Sequence, residues 1–300
     1  DTKLCLVSTK NKIIKRIIFP SKNLNNEKLT KYFIYLKPNY KKINKILFCS
    51  VVPKSLNLIK KFLSKKTKIK CNEVKKLDLK SLIRIKVNYK QVGSDRITNA
   101  ISLINNKNNF IILDFGTATT FDVLIKDTYA GGIIAPGIRL SLDTLADKAT
   151  LIPKINLKMI KNVIGKDTVS AVRSGFFWGY AGLIDNIVKL IKKETRKSFK
   201  VIITGGFSNL FKKSINTKVS HNKNNCVMLD VGIGATFDVL IKDIYYGGII
   251  APGISLSLNT LSDKATLIPK INLKMIKNVI GKDTVSAVRS GFFWGYAGLI

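Results

Sequence analysis

Histidine and paired cysteines are nearly absent from this sequence of 300 residues. The one histidine, His221, excludes a metal site built from several histidines and most histidine-based catalysis. The four cysteines contain no Cys-x-x-Cys pair, which excludes the usual zinc and thioredoxin-like motifs. They are Cys5, Cys49, Cys71 and Cys226. Because Cys5 and Cys49 lie in apolar runs, we expect buried, reduced thiols and a cytoplasmic protein.

Long apolar runs are also missing. The longest, around Gly175–Gly182, is well short of the roughly 18–20 residues that cross a bilayer, so we expect no membrane segment. No charged stretch followed by an apolar one indicates a signal peptide. A hydrophobic fraction of 46% and a mean hydropathy of +0.12 are typical of a globular chain. The length suffices for about two domains.

Acidic residues are few. There are 18 Asp and Glu against 52 Lys and Arg, which gives a formal net charge of +34. This charge fits a nucleic-acid-binding protein, but only seven basic residues are arginines, the side chains that best read bases. No helix-turn-helix, zinc or RNP motif is present. We favour a solvated lysine surface that attracts anionic ligands, and expect nucleic-acid binding to be weak and without sequence preference.

The largest feature of the sequence is an internal repeat. Residues 112–184 recur at 228–300 with an offset of 116, and Asp147–Ile184 is identical to Asp263–Ile300 at every position. Identity this high indicates a recent tandem copy, or an error in joining the sequence, rather than an ancient duplication.

The second copy differs from the first at its start. Ile233 stands where the first copy has Thr117, and a second hydroxyl residue is also lost. We therefore expect no catalytic site in residues 227–300. This copy also lacks a strand and helix of its own to cover its apolar face. The face must pack on its own chain, compete with residues 112–184 for their position as in a domain swap, or remain a poorly ordered tail.

The order of predicted elements is typical of an α/β protein. A strand hairpin followed by strands that alternate with helices occurs twice before residue 226, which predicts two domains with mixed sheets. We place these domains at residues 1–108 and 109–226, followed by the partial duplicate at 227–300.

The most distinctive local motif is Asp114-Phe115-Gly116-Thr117. An apolar strand ends in the Asp114 carboxylate, and Gly116 allows the backbone to approach a phosphate. Thr117 offers hydroxyl and amide donors, and Asp114 could hold a cation against the same phosphate. The alternative is an ordinary hairpin with threonines on an exposed face.

Two further motifs fit phosphate chemistry. Thr204-Gly205-Gly206 ends a predicted strand before a helix, where nucleotides pass a sheet. Gly93-Ser94-Asp95-Arg96 opens a predicted helix with Ser94 as its N-cap. Asp95 could accept a proton from a substrate hydroxyl, and Arg96 could bind an anion. The alternative for this second motif is a capped helix start with an incidental ion pair.

In their order along the chain, these motifs resemble type III pantothenate kinases. The set also includes Gly131–Gly137, Gly165–Thr168 and Cys49–Pro53, and it covers most of residues 1–217. The resemblance implies the duplicated ribonuclease-H-like fold of the actin, Hsp70 and sugar-kinase superfamily. It also implies ATP-dependent phosphorylation of pantothenate, the first step towards coenzyme A. The implied enzyme is a cytoplasmic homodimer that uses Mg²⁺ and a monovalent cation, K⁺ or NH₄⁺.

The resemblance also implies roles for individual residues. Asp95 would accept the proton of the pantothenate hydroxyl, and Asp114 would bind the monovalent cation. The remaining residues would bind pantothenate (Gly93, Ser94, Arg96 and Thr168) or ATP (Gly116, Thr117, Gly205 and Gly206).

Two departures from the family pattern leave an alternative open. The Asp-x-Gly-Asn-Thr phosphate loop that opens the family has no counterpart before Lys3–Val7, so we expect a truncated start that lacks half of the phosphate clamp. Lys86 stands where the family has a tyrosine. The alternative to an active kinase is a non-catalytic relative with a regulatory or accessory role.

Overall fold

The described part of the chain forms two compact units in the computed structural model of the protein. The described residues are 2–7, 13–19, 23–34, 37, 40–41, 43–48, 53–104, 107–211, 226–231, 234–241, 244–252, 254–265 and 267–299. The first unit is Asp1–Leu79 with Gly93–Thr98, and the second is Lys80–Val92 with Asn99–Ile300. Cys49, His221 and Ile233 lie outside the described residues. Within these ranges, no helix has the length and apolar character to cross a membrane.

The first unit contains short strands, two complete helices and the start of a third. Its elements are β1 (Thr2–Val7), β2 (Ile13–Phe19), α1 (Asn26–Phe33), β3 (Ile46–Phe48), α2 (Pro53–Thr67), β4 (Cys71–Glu73) and the start of α3 (Ser94–Ile101). The antiparallel pairing of β1 with β2 confirms the predicted hairpin, and β3 pairs with β4 in parallel. A buried apolar cluster joins β2, α1, α2 and β4, and its members are Phe19, Leu29, Phe33, Ile59, Phe62, Leu63 and Cys71. Cys71 is a free, buried thiol, as cysteines in apolar surroundings usually are.

The second unit contains both copies of the repeat. The first copy and its flanks form β5 (Arg84–Ile85), β6 (Asn109–Phe115), β7 (Ala118–Ile125), β8 (Thr128–Pro136), α4 (Ile138–Lys148), α5 (Thr168–Thr195), β9 (Lys200–Gly205) and α6 (Ser208–Phe211). The second copy forms β10 (Cys226–Val231), β11 (Gly234–Ile241), β12 (Ile244–Pro252), α7 (Ile254–Lys264) and α8 (Thr284–Leu299).

The larger sheet of this unit is mixed. Its strand order is β5-β8-β7-β6-β9, in which β5–β8 and β6–β9 are parallel and the central pairs are antiparallel. Strands β10, β11 and β12 form a separate antiparallel sheet. The predicted α/β class with mixed sheets is confirmed, whereas the predicted boundaries at residues 108 and 226 stay predictions.

Strand β8 is buried along its whole length because helices cover both of its faces. Ile133 packs in a cluster with Phe176 of α5, and its neighbour Ile134 packs in another cluster with Phe292 of α8. Successive side chains of a strand point to opposite faces, so α8 covers the face of β8 that α5 leaves uncovered. Of the three expected outcomes for the second copy, the structure has the first: it packs on its own chain.

Candidate active site

The predicted phosphate-binding turn lies at the carboxyl end of β6. The Gly116 amide donates a hydrogen bond to the Ala118 carbonyl (3.1 Å), which closes the turn and leaves Gly116 and Thr117 exposed. The turn is pressed against Gly137, the N-cap residue of α4. A Cβ atom at Gly137 would lie 1.9 Å from the Thr117 carbonyl oxygen, so this position requires glycine.

The Thr204-Gly205-Gly206 motif lies beside that turn because β9 pairs with β6. Gly205 has a φ of +90°, and a Cβ atom there would lie 2.6 Å from Asp114 Oδ1. The Gly206 amide donates to the Phe115 carbonyl (3.0 Å). The structure therefore brings together Asp114, the Gly116–Thr117 turn and the two glycines at one end of the sheet.

The surroundings of Asp114 fit a phosphate and its cation. This carboxylate is half-buried, and Gly116, Thr117 and Gly206 beside it are exposed to solvent. Within the part of the chain that the structure describes, no group of three His, Cys, Asp or Glu side chains could hold a metal. A cation at Asp114 would therefore take its other oxygen ligands from backbone carbonyls, water or a bound phosphate.

A basic residue near this turn was not predicted from the sequence. Arg139 lies in the first turn of α4, is exposed, and sits over the ring of Phe207 at 5.9 Å from its centroid. Phe207 directly follows Gly206, so the guanidinium is held near the glycine pair. The only sequence signal for it is its position two residues after the Gly131–Gly137 motif.

The Gly93-Ser94-Asp95-Arg96 motif opens α3 and belongs to the first unit. The Ile97 amide donates to the Gly93 carbonyl (3.3 Å), so Gly93 is the N-cap residue. The expectation that Ser94 caps the helix is wrong: Ser94 is the first helical residue and is 2% exposed. Asp95 is exposed, and its Oδ1 accepts a hydrogen bond from the Arg96 amide (2.9 Å). Its carboxylate is therefore open to a solute at a helix N-terminus.

Thr168 is the exposed first residue of α5. Asp167 caps this helix by accepting from the Ser170 amide (2.9 Å), and the Ser170 hydroxyl, at 2.7 Å from Asp167 Oδ2, lowers the pKa of that carboxyl. The same sequence occurs in the second copy. There the Thr284 amide and hydroxyl donate to the side-chain and backbone oxygens of Gln91 (3.3 and 3.5 Å). Thr284 thus contacts the segment that directly precedes the Gly93 motif, which the sequence reasoning missed although the identical repeat pointed to it.

Comparison with known proteins points to one family. The sequence matches the profile of the family described as type III pantothenate kinase over residues 1–190 and 214–300. It is 68% identical over 224 residues to the type III pantothenate kinase of Pelagibacter ubique (strain HTCC1062), covering 75% of this chain and 90% of that protein. It is 38% identical over 179 residues to that of Sulfurihydrogenibium sp. (strain YO3AOP1), covering 58% and 70%. With that of Paramagnetospirillum magneticum (strain ATCC 700264 / AMB-1), identity is 47% over 131 residues, covering 43% and 50%.

Proposed function

The chain belongs to the type III pantothenate kinase family, and on that premise we propose which of its residues carry the reaction. The reaction is the ATP-dependent phosphorylation of pantothenate in coenzyme A biosynthesis, and the chain is a phosphotransferase. The observation that supports the residue assignment is the meeting of Asp114, Gly116–Thr117 and Gly205–Gly206 at one end of the sheet.

The turn after β6 is the ATP side of the proposed site. The exposed Gly116, Thr117 and Gly206, together with Gly205, would receive the phosphates, since backbone amides and hydroxyls are good phosphate donors. Asp114 would bind the monovalent cation, K⁺ or NH₄⁺, and Mg²⁺ would accompany the ATP. Such ions neutralise the charge that develops on the transferred phosphoryl group. The proximity of Arg139 adds a fixed positive charge next to the same glycines.

The start of α3 is the pantothenate side. Asp95 would accept the proton of the substrate hydroxyl, and Gly93, Ser94 and Arg96 would hold the substrate together with Thr168. Phosphoryl transfer depends mostly on positioning and charge stabilisation, so Asp95 acts as much by orienting the hydroxyl as by removing its proton.

The family resemblance also supports proposals about domain organisation, cellular location and assembly. We propose two ribonuclease-H-like domains followed by a partial repeat, and a cytoplasmic enzyme. The family resemblance also implies a homodimer, in which two copies of the β6–α5 unit pair with each other. Weak, non-specific nucleic-acid binding stays a prediction.

The proposed role of Asp95 is tested by Asp95→Asn in the full gene product. We expect turnover to fall by about 10²–10⁴-fold, the usual contribution of a general base, with ATP binding nearly unchanged. Pantothenate-dependent ADP release and ATP titration measure the two effects, and rates should be higher in K⁺ or NH₄⁺ than in Na⁺. Asp143→Asn, an exposed carboxylate on α4, is the control and should retain full activity. An unchanged rate in Asp95→Asn removes this residue from the mechanism, and ADP release that ignores pantothenate contradicts the function.

A further inference from the structure

The two copies of the repeat contact each other in a reciprocal way. Helices α5 and α8 run antiparallel, and a Cβ atom at Gly179 would lie 3.2 Å from Leu299 Cγ. A Cβ atom at Gly295 would lie 3.1 Å from Leu183 Cγ. The repeat offset of 116 converts Gly179 into Gly295 and Leu183 into Leu299, so the two contacts are the same contact made twice.

Helices α5 and α8 cross at a pair of equivalent glycines. A Cβ at Gly182 would lie 2.5 Å from the Gly298 carbonyl oxygen, and one at Gly298 would lie 2.8 Å from the Gly182 carbonyl oxygen. These glycines are equivalent positions of the two copies. A residue that meets its own equivalent marks a two-fold axis, as in an isologous interface between identical subunits.

The contacts between helices and sheets are reciprocal too. Helix α8 lies on β8 of the first copy while α5 lies on β12 of the second, and α4 contacts its equivalent α7. The long helix of each copy therefore packs on the sheet of the other copy. This exchange of equivalent elements is the arrangement of a symmetric dimer, formed here between two segments of one chain.

One edge of the arrangement is joined by backbone contacts. Gly132 and Gly281 exchange two hydrogen bonds (3.1 and 3.0 Å). Gly131 has a φ of +136°, and a Cβ there would lie 2.5 Å from the Gly281 carbonyl oxygen. The Lys282 ammonium donates to the Ala130 carbonyl (2.5 Å). The glycine pair in β8 thus permits a close approach that no larger residue would allow.

We propose that the second copy takes, within the same chain, the position of the partner molecule in a symmetric dimer, so that the protein is a monomeric pseudo-dimer. The proposal stands on these reciprocal contacts and does not depend on the proposed function. Asn88 and Gln91 contact the second copy at Lys282 and Thr284. Residues 84–91 occur only once in the sequence, so the chain can form this set of contacts, the docking edge, only once.

The test places a cysteine pair across that edge in the full chain. With Gln91→Cys and Thr284→Cys, a short bis-maleimide should link the two positions within one chain, and light scattering should give the monomer mass of 33.4 kDa. The matched control is Gln91→Cys with Thr168→Cys, which carries the same local sequence in the first copy. The Gln91→Cys single variant measures links to the native cysteines.

Three results overturn the proposal. A covalent dimer, or a native mass of two chains, means that the second copy docks on another molecule. Absence of a specific link in the Thr284→Cys pair means that the second copy does not occupy this edge. If the Thr168→Cys control forms the intrachain link as readily as the Thr284→Cys pair, the second copy does not specifically occupy the position next to Gln91.

Discussion

Residues 163–168 and 279–284 have the same sequence but different surroundings. Val163 is 47% exposed, whereas its equivalent Val279 is 5% exposed. Both valine carbonyls accept a hydrogen bond from the equivalent serine hydroxyl of the following helix, Ser174 or Ser290. In the second copy the described contacts add a partner from outside the repeat, because Glu194, in the part of α5 that follows the first copy, accepts from the Val279 and Ile280 amides.

This comparison separates local from tertiary effects. The helix cap and the serine–carbonyl bond repeat in both copies because each is made within a short stretch of identical sequence. The burial of the valine does not repeat, because it depends on β8, on α5 and on residues that occur once in the chain. Identical segments can therefore contribute very different amounts to stability.

The largest expected difference between the copies is at this valine. Val279→Asp places a charge without a partner in a buried position and should lower the free energy of unfolding by about 3–5 kcal/mol. Val163→Asp, in the same sequence context but half exposed, should change it by less than about 0.5 kcal/mol. Urea denaturation of the two variants measures both values. Equal losses would mean that the two copies do not differ in their surroundings as described.

The second prediction concerns the reciprocal leucines. Leu183 and Leu299 are 1% and 9% exposed. Changing either leucine to Ala should lower the free energy of unfolding by about 2–4 kcal/mol, because each side chain fills the space beside the glycine of the opposite helix. Leu151→Ala is the control, since that side chain is 88% exposed. A loss in only one of the two leucine variants would contradict the two-fold relation of α5 and α8.

A third, smaller effect should be equal in both copies. The Tyr180 hydroxyl lies 3.2 Å from Ser141 Oγ, and the Tyr296 hydroxyl lies 2.9 Å from Ser257 Oγ. Tyr180→Phe and Tyr296→Phe should each lower the free energy of unfolding by about 1 kcal/mol, because each removes a buried hydroxyl that is hydrogen-bonded to a serine. Unequal losses in urea denaturation would show that this interaction, too, depends on the surroundings of each copy.

The same two tyrosines should make stability depend on alkaline pH. Burial raises the pKa of both phenols above the ordinary value of 10.0. Their contribution is complete below that value and is lost as the pH rises above it, since the unfolded chain ionises first. Stability measured between about pH 9 and 11 should fall, and the double Phe variant should fall less steeply. An identical slope in that variant would assign the alkaline loss to other groups.

The smallest predicted effect is at Glu194. Glu194→Gln keeps an oxygen acceptor for the Val279 and Ile280 amides but removes the charge, so we expect a loss of about 0.5–1 kcal/mol. Glu27→Gln is the control. Its exposed ion pair with Lys31 (3.1 Å) should contribute nothing that denaturation detects. A loss at Glu194 no larger than that of the control would mean that this contact does not stabilise the second copy.

Much of the architecture was predictable because it depends on local patterns. The apolar run that ends at Asp114 indicated strand β6, and the residue pattern of 138–148 predicts a helix with the bounds that α4 has in the structure. The cap of α3 was misassigned by one residue. A serine before a helix usually caps it through its side chain, but here Gly93 takes that position and Ser94 is buried instead.

What sequence determined by itself is the family, the mixed α/β class and the turn that carries Asp114, since these rest on short motifs and on the periodicity of apolar side chains. Only the tertiary structure showed that Gly131 and Gly132 allow the close approach of Gly281, since glycines would also be expected at a strand end. It alone also decided that Val279 is buried whereas Val163, in an identical segment, is exposed. The physical reason is that hydrogen bonds within a turn or helix cap form between neighbours in sequence. Burial and close backbone approach are instead set by whatever the fold places opposite them.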